Sequence, residues 1–183
     1  MDKINIDTSW SLFLDRDGVI NRRIPGTYIK DWVDFEFIEG VLPTLAHLSN
    51  LFNKIVVVTN QQGIGKGLMT DTDLDEIHRK MRSAIKDAGG RIDGVYYCPD
   101  LSTSRHNFRK PKTLMAELAQ EDFPDIVFHK SIMVGDSISD MDFGSRLNMK
   151  TIFVGEKLGY KGQDQLIDYD LHSLPDLLEV LSF

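Results

Sequence analysis

A chain of 183 residues, 42% hydrophobic and 27% charged, has the makeup of a folded protein of about one domain. Its formal charge of −7 argues against a nucleic-acid or anionic-membrane partner held by bulk electrostatics, and its single cysteine excludes an internal disulfide framework or a zinc site of several thiolates. There is no run of about 18 apolar residues and no basic stretch leading into an apolar one, so the expectation is a cytoplasmic enzyme or binding domain.

In chain order, the apolar run SLFLD (Ser11 to Asp15) predicts a first strand. EGVLPTLAHLSNLF (Glu39 to Phe52) sets Val41, Leu45, Leu48 and Leu51 on one helical stripe. KIVVVTN (Lys54 to Asn60) predicts a second strand. TDTDLDEIHRKMRSAIKDAGG (Thr70 to Gly90) predicts a helix that opens on good N-cap residues and closes on glycines. A strand GVYYCP (Gly94 to Pro99) and a short helix KTLMAELAQE (Lys112 to Glu121) come next. Then follow strand SIMVGD (Ser131 to Asp136), helix SISDMDFGSRL (Ser137 to Leu147), strand KTIFVG (Lys150 to Gly155) and a last helix SLPDLLEVL (Ser173 to Leu181). The strand runs are apolar on both faces, as in a buried parallel sheet. This βαβ alternation predicts an α/β fold, a doubly wound parallel sheet with right-handed crossovers, forming one domain over residues 1–183. The least regular stretches, Arg22 to Phe37 and Asp100 to Arg109, are loops and therefore candidate substrate contacts.

Ligands of open α/β sheets bind beyond the carboxyl ends of the strands, so the residues there carry the chemistry. The first strand ends in Asp15-Arg16-Asp17-Gly18, two carboxylates that fit around one phosphoryl group or one divalent cation, or that form an Asp-Gly turn. The second ends in TNQQGIGKG, where Thr59 and Asn60 offer a hydroxyl and an amide; the spacing of a P-loop is absent. Before the third helix stands FRKPK, either a solvated helix start at Pro111 or a phosphate-holding cation at Lys110. The fourth motif, VGDSISD, places Asp136 at a strand end and Asp140 one helical turn on, oxygen ligands of the kind a hard cation prefers.

In this order the motifs LDRDGVIN, VVVTNQ, RKPK and VGDSISD resemble the haloacid dehalogenase superfamily of aspartate-nucleophile phosphatases, from Ser11 to Val154. FLDRDGVIN, FEFIEGV, VVVTNQQGIGKG, YYCP and RKP are similar to its branch of D-glycero-D-manno-heptose 1,7-bisphosphate and histidinol-phosphate phosphatases. The resemblance implies a Rossmann-like sheet, and the gaps between motifs leave no room for a large cap domain. It implies Asp15 as nucleophile, Asp17 as acid and then base, and Thr59 and Lys110 as holders of the phosphoryl oxygens. It further implies Mg2+ on Asp15, Asp136 and the backbone carbonyl of Asp17, with Asp140 behind them and Asn60 and Arg109 as substrate contacts. Because Asp17 must carry a proton when the leaving group departs, its pKa is expected above that of Asp15.

Relatives in the branch follow CP with a histidine and later a Cys-x-Cys pair that bind structural zinc; here Asp100 takes the histidine's place and no second cysteine exists. No structural zinc is therefore expected, and Cys98 reads as a buried strand-end residue. Arg22, Arg23, Lys30, Arg105 and Arg109 are candidates for a second phosphate, while Asp31 and Asp34 would suit the amine of histidinol phosphate. FEFIEGV and NQQGIGKG lean to the heptose bisphosphate and RKPK the other way. The partner expected is a small phosphorylated metabolite, with no nucleic acid and no membrane, and a monomer is the default. Dehalogenation by the same fold and a non-catalytic phosphate-binding scaffold are the other readings.

Overall fold

In the computed structural model, which describes residues 3–156 and 164–183, the chain runs β1 (Ile4–Asn5), β2 (Ser11–Leu14), α1 (Val41–Leu48), β3 (Lys54–Asn60), α2 (Asp71–Asp87) and β4 (Gly94–Cys98). It continues with α3 (Leu114–Asp122), β5 (Ser131–Gly135), α4 (Ile138–Arg146), β6 (Lys150–Val154), β7 (Tyr169–Leu171), α5 (Leu177–Val180) and β8 (Leu181–Ser182). Six strands pair in parallel in the order β4-β3-β2-β5-β6-β7, the doubly wound sheet the alternation predicts, and the described residues include no large cap.

Strand periodicity sorts side chains to the two faces of this sheet. Leu12, Leu14, Ile55, Val57, Ile132 and Val134 pack on one face against Leu45 of α1, Leu74 and Ile77 of α2 and Leu177 of α5. Phe13, Val56, Val58 and Met133 pack on the other against Met115, Ala116 and Ala119 of α3 and Phe143 of α4. Each fully buried Leu or Val in these layers contributes about 1.5–3 kcal/mol relative to exposure. Helix α2 starts on a reciprocal cap: Thr70 Oγ1 accepts from Asp73 N at 3.2 Å and Asp73 Oδ2 accepts from Thr70 N at 2.8 Å.

Register brings the chemistry to one level. Leu14, the last residue of β2, lies opposite Val57 of β3 and Val134 of β5; β5 runs one residue further, to Gly135, and β3 three, to Asn60, so Thr59 and Asn60 stand beyond the end of β2. Asp15 N still donates to Val134 O at 2.9 Å, which fixes Asp15 where β2 leaves the core.

Two expectations are corrected, and three short strands were not predicted. The strand from Gly94 is the edge of the sheet and only half-buried, and its tyrosines turn polar tips outward, Tyr96 to Asp122 and Tyr97 to Asp71. The predicted helix from Ser173 is a 3₁₀ turn (Leu174–Asp176), a single turn α5 and then strand β8, because Ser173 and Pro175 favour a tight first turn. Strands β1, β7 and β8 have two or three residues each, too few to show a period. Among the described residues no helix is long and apolar enough to cross a membrane.

Candidate active site

A cleft of about 210 Å³ opens beyond the carboxyl ends of β2 and β3. Its lining includes Asp15, Asp17, Thr59, Asn60, Lys110 and Asp140, with Arg109 at the loop side. Residues from all four sequence motifs thus meet in one place.

At its base is a buried charge cluster. Lys110 Nζ lies 2.7 Å from Val58 O, 3.0 Å from Asp15 Oδ1 and 2.5 Å from Asp140 Oδ1. Burial opposes the charge on Lys110, but Asp140 and Asp15 outweigh it and hold the ammonium above its ordinary value. The lysine is placed by Asn60, whose Oδ1 accepts from Lys110 N at 3.0 Å and whose Nδ2 donates to Lys110 O at 3.4 Å. Asn60 is therefore engaged with the lysine's backbone as well as lining the cleft, a use its sequence position did not suggest. Asp140 is held in turn by the start of α4, its Oδ2 accepting from Ser137 N at 3.1 Å and Ser137 Oγ at 2.6 Å.

Asp15, Asp136 and Asp140 offer oxygens within 4.8 Å of one another. Asp136 Oδ2 is paired with Arg23 at 3.1 Å, while its Oδ1 is buried with no hydrogen-bond partner. Burial first, then the neighbouring carboxylates, pushes Asp15 up to about 6 and Asp136 up to about 7, although Lys110 pulls the other way at Asp15. Three carboxylates facing Lys110 and Arg23 leave net negative charge, and an orphaned buried oxygen suits a hard divalent cation; the donor set fits Mg2+. Two glycines make this packing possible. A Cβ on Gly18, at φ +90°, would lie 2.0 Å from Asp136 Oδ2, and one on Gly135 would lie 2.2 Å from Asp140 Cβ.

Asp17 has different surroundings. Arg16, fully buried, sends Nε and Nη2 to Asp17 Oδ1 at 3.2 and 2.9 Å and Nη2 to Oδ2 at 3.0 Å. Asn21 Nδ2 and Gln61 Nε2 also donate to Asp17, at 2.9 and 3.0 Å. Burial alone would raise its pKa, but Arg16 and these amides outweigh that and hold it below the usual carboxylate range. The sequence-based expectation placed Asp17 above Asp15; the structure reverses the order, because Arg16, one residue back, spends its charge on Asp17.

Gln61 also donates to Thr59 Oγ1 at 2.9 Å, leaving the hydroxyl proton of Thr59 to donate elsewhere. Arg16, Gln61 and His78, whose ring meets Arg16, were not singled out from the sequence. The signal available for two of them was their position, Arg16 between the paired aspartates and Gln61 directly after Thr59-Asn60.

Of the five basic residues named for a second phosphate, Arg23 and Arg109 line the cleft, together with Tyr28 and Gln62. Arg22 pairs with Glu36 instead. Asp31 Oδ1 accepts from Val33 N and Asp34 N in a turn, and neither Asp31 nor Asp34 is among the cleft-lining residues. The 100–109 loop is tied by its own polar contacts. Arg109 Nη1 donates to Asp100 O at 3.1 Å, Asn107 Oδ1 accepts from Arg109 N at 3.3 Å, and Lys112 Nζ donates to Asn107 O. Cys98 is buried, its thiol pushed up by burial and 3.5 Å from Asp100 Oδ2.

Residues 13–165 match the protein family described as polynucleotide kinase 3 phosphatase. The chain belongs to that family, a branch of the haloacid dehalogenase superfamily. A D-glycero-alpha-D-manno-heptose-1,7-bisphosphate 7-phosphatase of Mycobacterium tuberculosis is 43% identical over 133 residues, 73% of this chain and 70% of that protein. A D-glycero-beta-D-manno-heptose-1,7-bisphosphate 7-phosphatase of Haemophilus influenzae is 32% identical over 180 residues, 93% of this chain and 96% of that one. The solved structure of D,D-heptose 1,7-bisphosphate phosphatase from B. bronchiseptica, complexed with magnesium and phosphate, superposes with a TM-score of 0.82 at 27% identity, covering 93% of this chain and 96% of that one. Fold, motifs and family agree on a phosphatase of this superfamily.

Proposed function

We propose that the chain is a magnesium-dependent phosphomonoesterase that removes the 7-phosphate of D-glycero-D-manno-heptose 1,7-bisphosphate through an aspartyl phosphate on Asp15. The observation that carries this is the Lys110–Asp15 pair at 3.0 Å beside the orphaned Oδ1 of Asp136. Asp15 Oδ1 is occupied by Arg16 N at 2.7 Å and by Lys110, which leaves Oδ2 for attack.

Asp15 attacks phosphorus while the bond from phosphorus to the sugar oxygen breaks, and Asp17 gives that oxygen a proton. Asp17 then takes a proton from water, which attacks the aspartyl phosphate, releases inorganic phosphate and restores Asp15. Thr59 donates its hydroxyl to a phosphoryl oxygen. Lys110 exchanges one of its three oxygen neighbours for another phosphoryl oxygen. Asp15, Asp136 and the carbonyl of Asp17 would hold Mg2+, which supplies the positive charge that offsets repulsion between a carboxylate and a phosphate dianion. A dianion beside Asp17 raises its proton affinity, which works against the low resting value.

Arg23 and Arg109 at the cleft edge suit the second phosphate of a sugar bisphosphate, whereas the carboxylates that would meet an amine, Asp31 and Asp34, do not line it. The charge of −7 disfavours a polynucleotide substrate. The reading takes residues 1–183 as one phosphatase domain, a cytoplasmic monomer acting on a small metabolite without structural zinc. Turnover of the α and β heptose bisphosphates and of histidinol phosphate, with Asp15→Asn as control, tests it. Histidinol phosphate as the best substrate rejects the assignment, and an active Asp15→Asn variant rejects the mechanism.

A further inference from the structure

Helix α2 carries a histidine that takes no part in the chemistry above. His78 is 6% exposed, packs beside Tyr97 with ring centroids 5.9 Å apart, and sets Nε2 3.2 Å from Arg16 Nη1. Arginine only donates, so Nε2 accepts and the ring keeps its proton on Nδ1. Burial first, and then the charge of Arg16, drives the imidazole down to about 3, which keeps it a neutral acceptor.

Arg16 is the link. It has no exposed surface, and a buried guanidinium is tolerated only when its charge is met and its donors are matched. Asp17 meets the charge; Gln61 Oε1, 3.3 Å from Nη2, and His78 Nε2 supply the neutral acceptors. The guanidinium is thus fixed from three separate places, the turn after β2, the end of β3 and the middle of α2. Its fork in turn fixes both oxygens of Asp17.

We propose that His78 is a positioning residue for proton transfer at Asp17, acting through Arg16. This rests on the reading of Asp17 as the acid and base. Without the acceptor at His78, one arm of Arg16 is left unmatched in the interior and the fork turns, so Asp17 loses its aim at the leaving oxygen. Lys110, held by Asn60 and Val58, stays in place, so proton transfer is lost rather than phosphate binding.

The test uses two esters on the full chain. Heptose 1,7-bisphosphate leaves as an alkoxide that needs a proton, and 4-nitrophenyl phosphate leaves as a stable phenolate that does not. His78→Met should lower kcat/KM for the sugar ester about 10- to 100-fold and for the phenyl ester less than about threefold, and His78→Gln, which restores an acceptor, should recover most of the loss. In an Asp17→Asn background, His78→Met should have no further effect. Equal losses on both esters, no recovery with Gln, or a further loss on top of Asp17→Asn overturns the proposal. If Asp17→Asn alone leaves turnover of the sugar ester intact, the reading of Asp17 fails instead. Should His78→Met not fold, the ¹⁵N spectrum of the unaltered protein decides: Nε2 unprotonated at neutral pH is expected, and a protonated Nε2 overturns the proposal.

Discussion

Lys110 Nζ and Asp15 Oδ1 stand 3.0 Å apart with their side chains 1% and 9% exposed. An ion pair this dry is costly to break from one side, because the remaining charge stays buried. Lys110→Met strands Asp15 and Asp140 next to each other, and we expect about 3–5 kcal/mol of lost stability at neutral pH. The same change should lower kcat about 10²- to 10³-fold. Thermal melts and phosphate release measure the two; a variant as stable and as active as the parent contradicts the cluster.

Metal binding should be tied to protons. Asp15 and Asp136 sit at about 6 and about 7 against an ordinary 3.8, so the folded protein keeps protons there that the unfolded chain has released. Stability from these two groups is therefore gained as pH falls from about 7 toward 4 and lost as it rises. A divalent cation needs both as carboxylates. Below about pH 6, Mg2+ binding should release up to about two protons per ion and its affinity should fall steeply, while near pH 8 it should release almost none. Calorimetry in buffers of differing ionisation heat counts the protons, and a pH-independent affinity defeats the expectation.

Gly18→Ala probes the same carboxylates by volume. At φ +90° the new methyl costs about 1–2 kcal/mol in backbone strain before it meets Asp136 Oδ2 at 2.0 Å. Displacing Asp136 should weaken Mg2+ about 10- to 100-fold, the range seen when groups supporting metal ligands are changed. Unchanged metal affinity would remove Asp136 from the ligand set.

The 100–109 loop should not depend on zinc. A zinc-selective chelator should leave Tm unchanged, whereas Asn107→Ala, which frees the amide of Arg109 and the carbonyl of Ser104, should cost about 1–2 kcal/mol and expose the loop to protease. A fall in Tm with the chelator would place a metal in the loop.

How much of this was legible before the structure varies with distance along the chain. Four of the five strand runs stand in the sequence because burial on both faces leaves unbroken apolar runs, and Asp15, Asp17, Thr59 and Lys110 meet in the cleft as the order of their motifs predicts. The double duty of Asn60 and the contact of Arg16 with His78 were not legible, since each depends on a partner far away; Asn60 meets Lys110 across 50 positions and Arg16 meets His78 across 62. The low pKa of Asp17 was missed for a subtler reason. Arg16 is its chain neighbour, and neighbours on an extended strand face apart; but β2 ends at Leu14 and the chain bends at Arg16, where the fork reaches the carboxylate.

The register of β2 also has a kinetic side. Ser11 pairs with Lys54 on one flank and with Ser131 on the other, so the strand bearing Asp15 is complete only when a segment from the last third of the chain docks beside it. Pairings of such long sequence separation are slow to form. A nascent or refolding chain can close β2 against β3 and bury Leu12 and Leu14 early, yet it holds no Asp136 or Asp140 near Asp15 until β5 arrives. Recovery of catalysis should trail recovery of helical signal during refolding, with the arrival of β5 as the step between them.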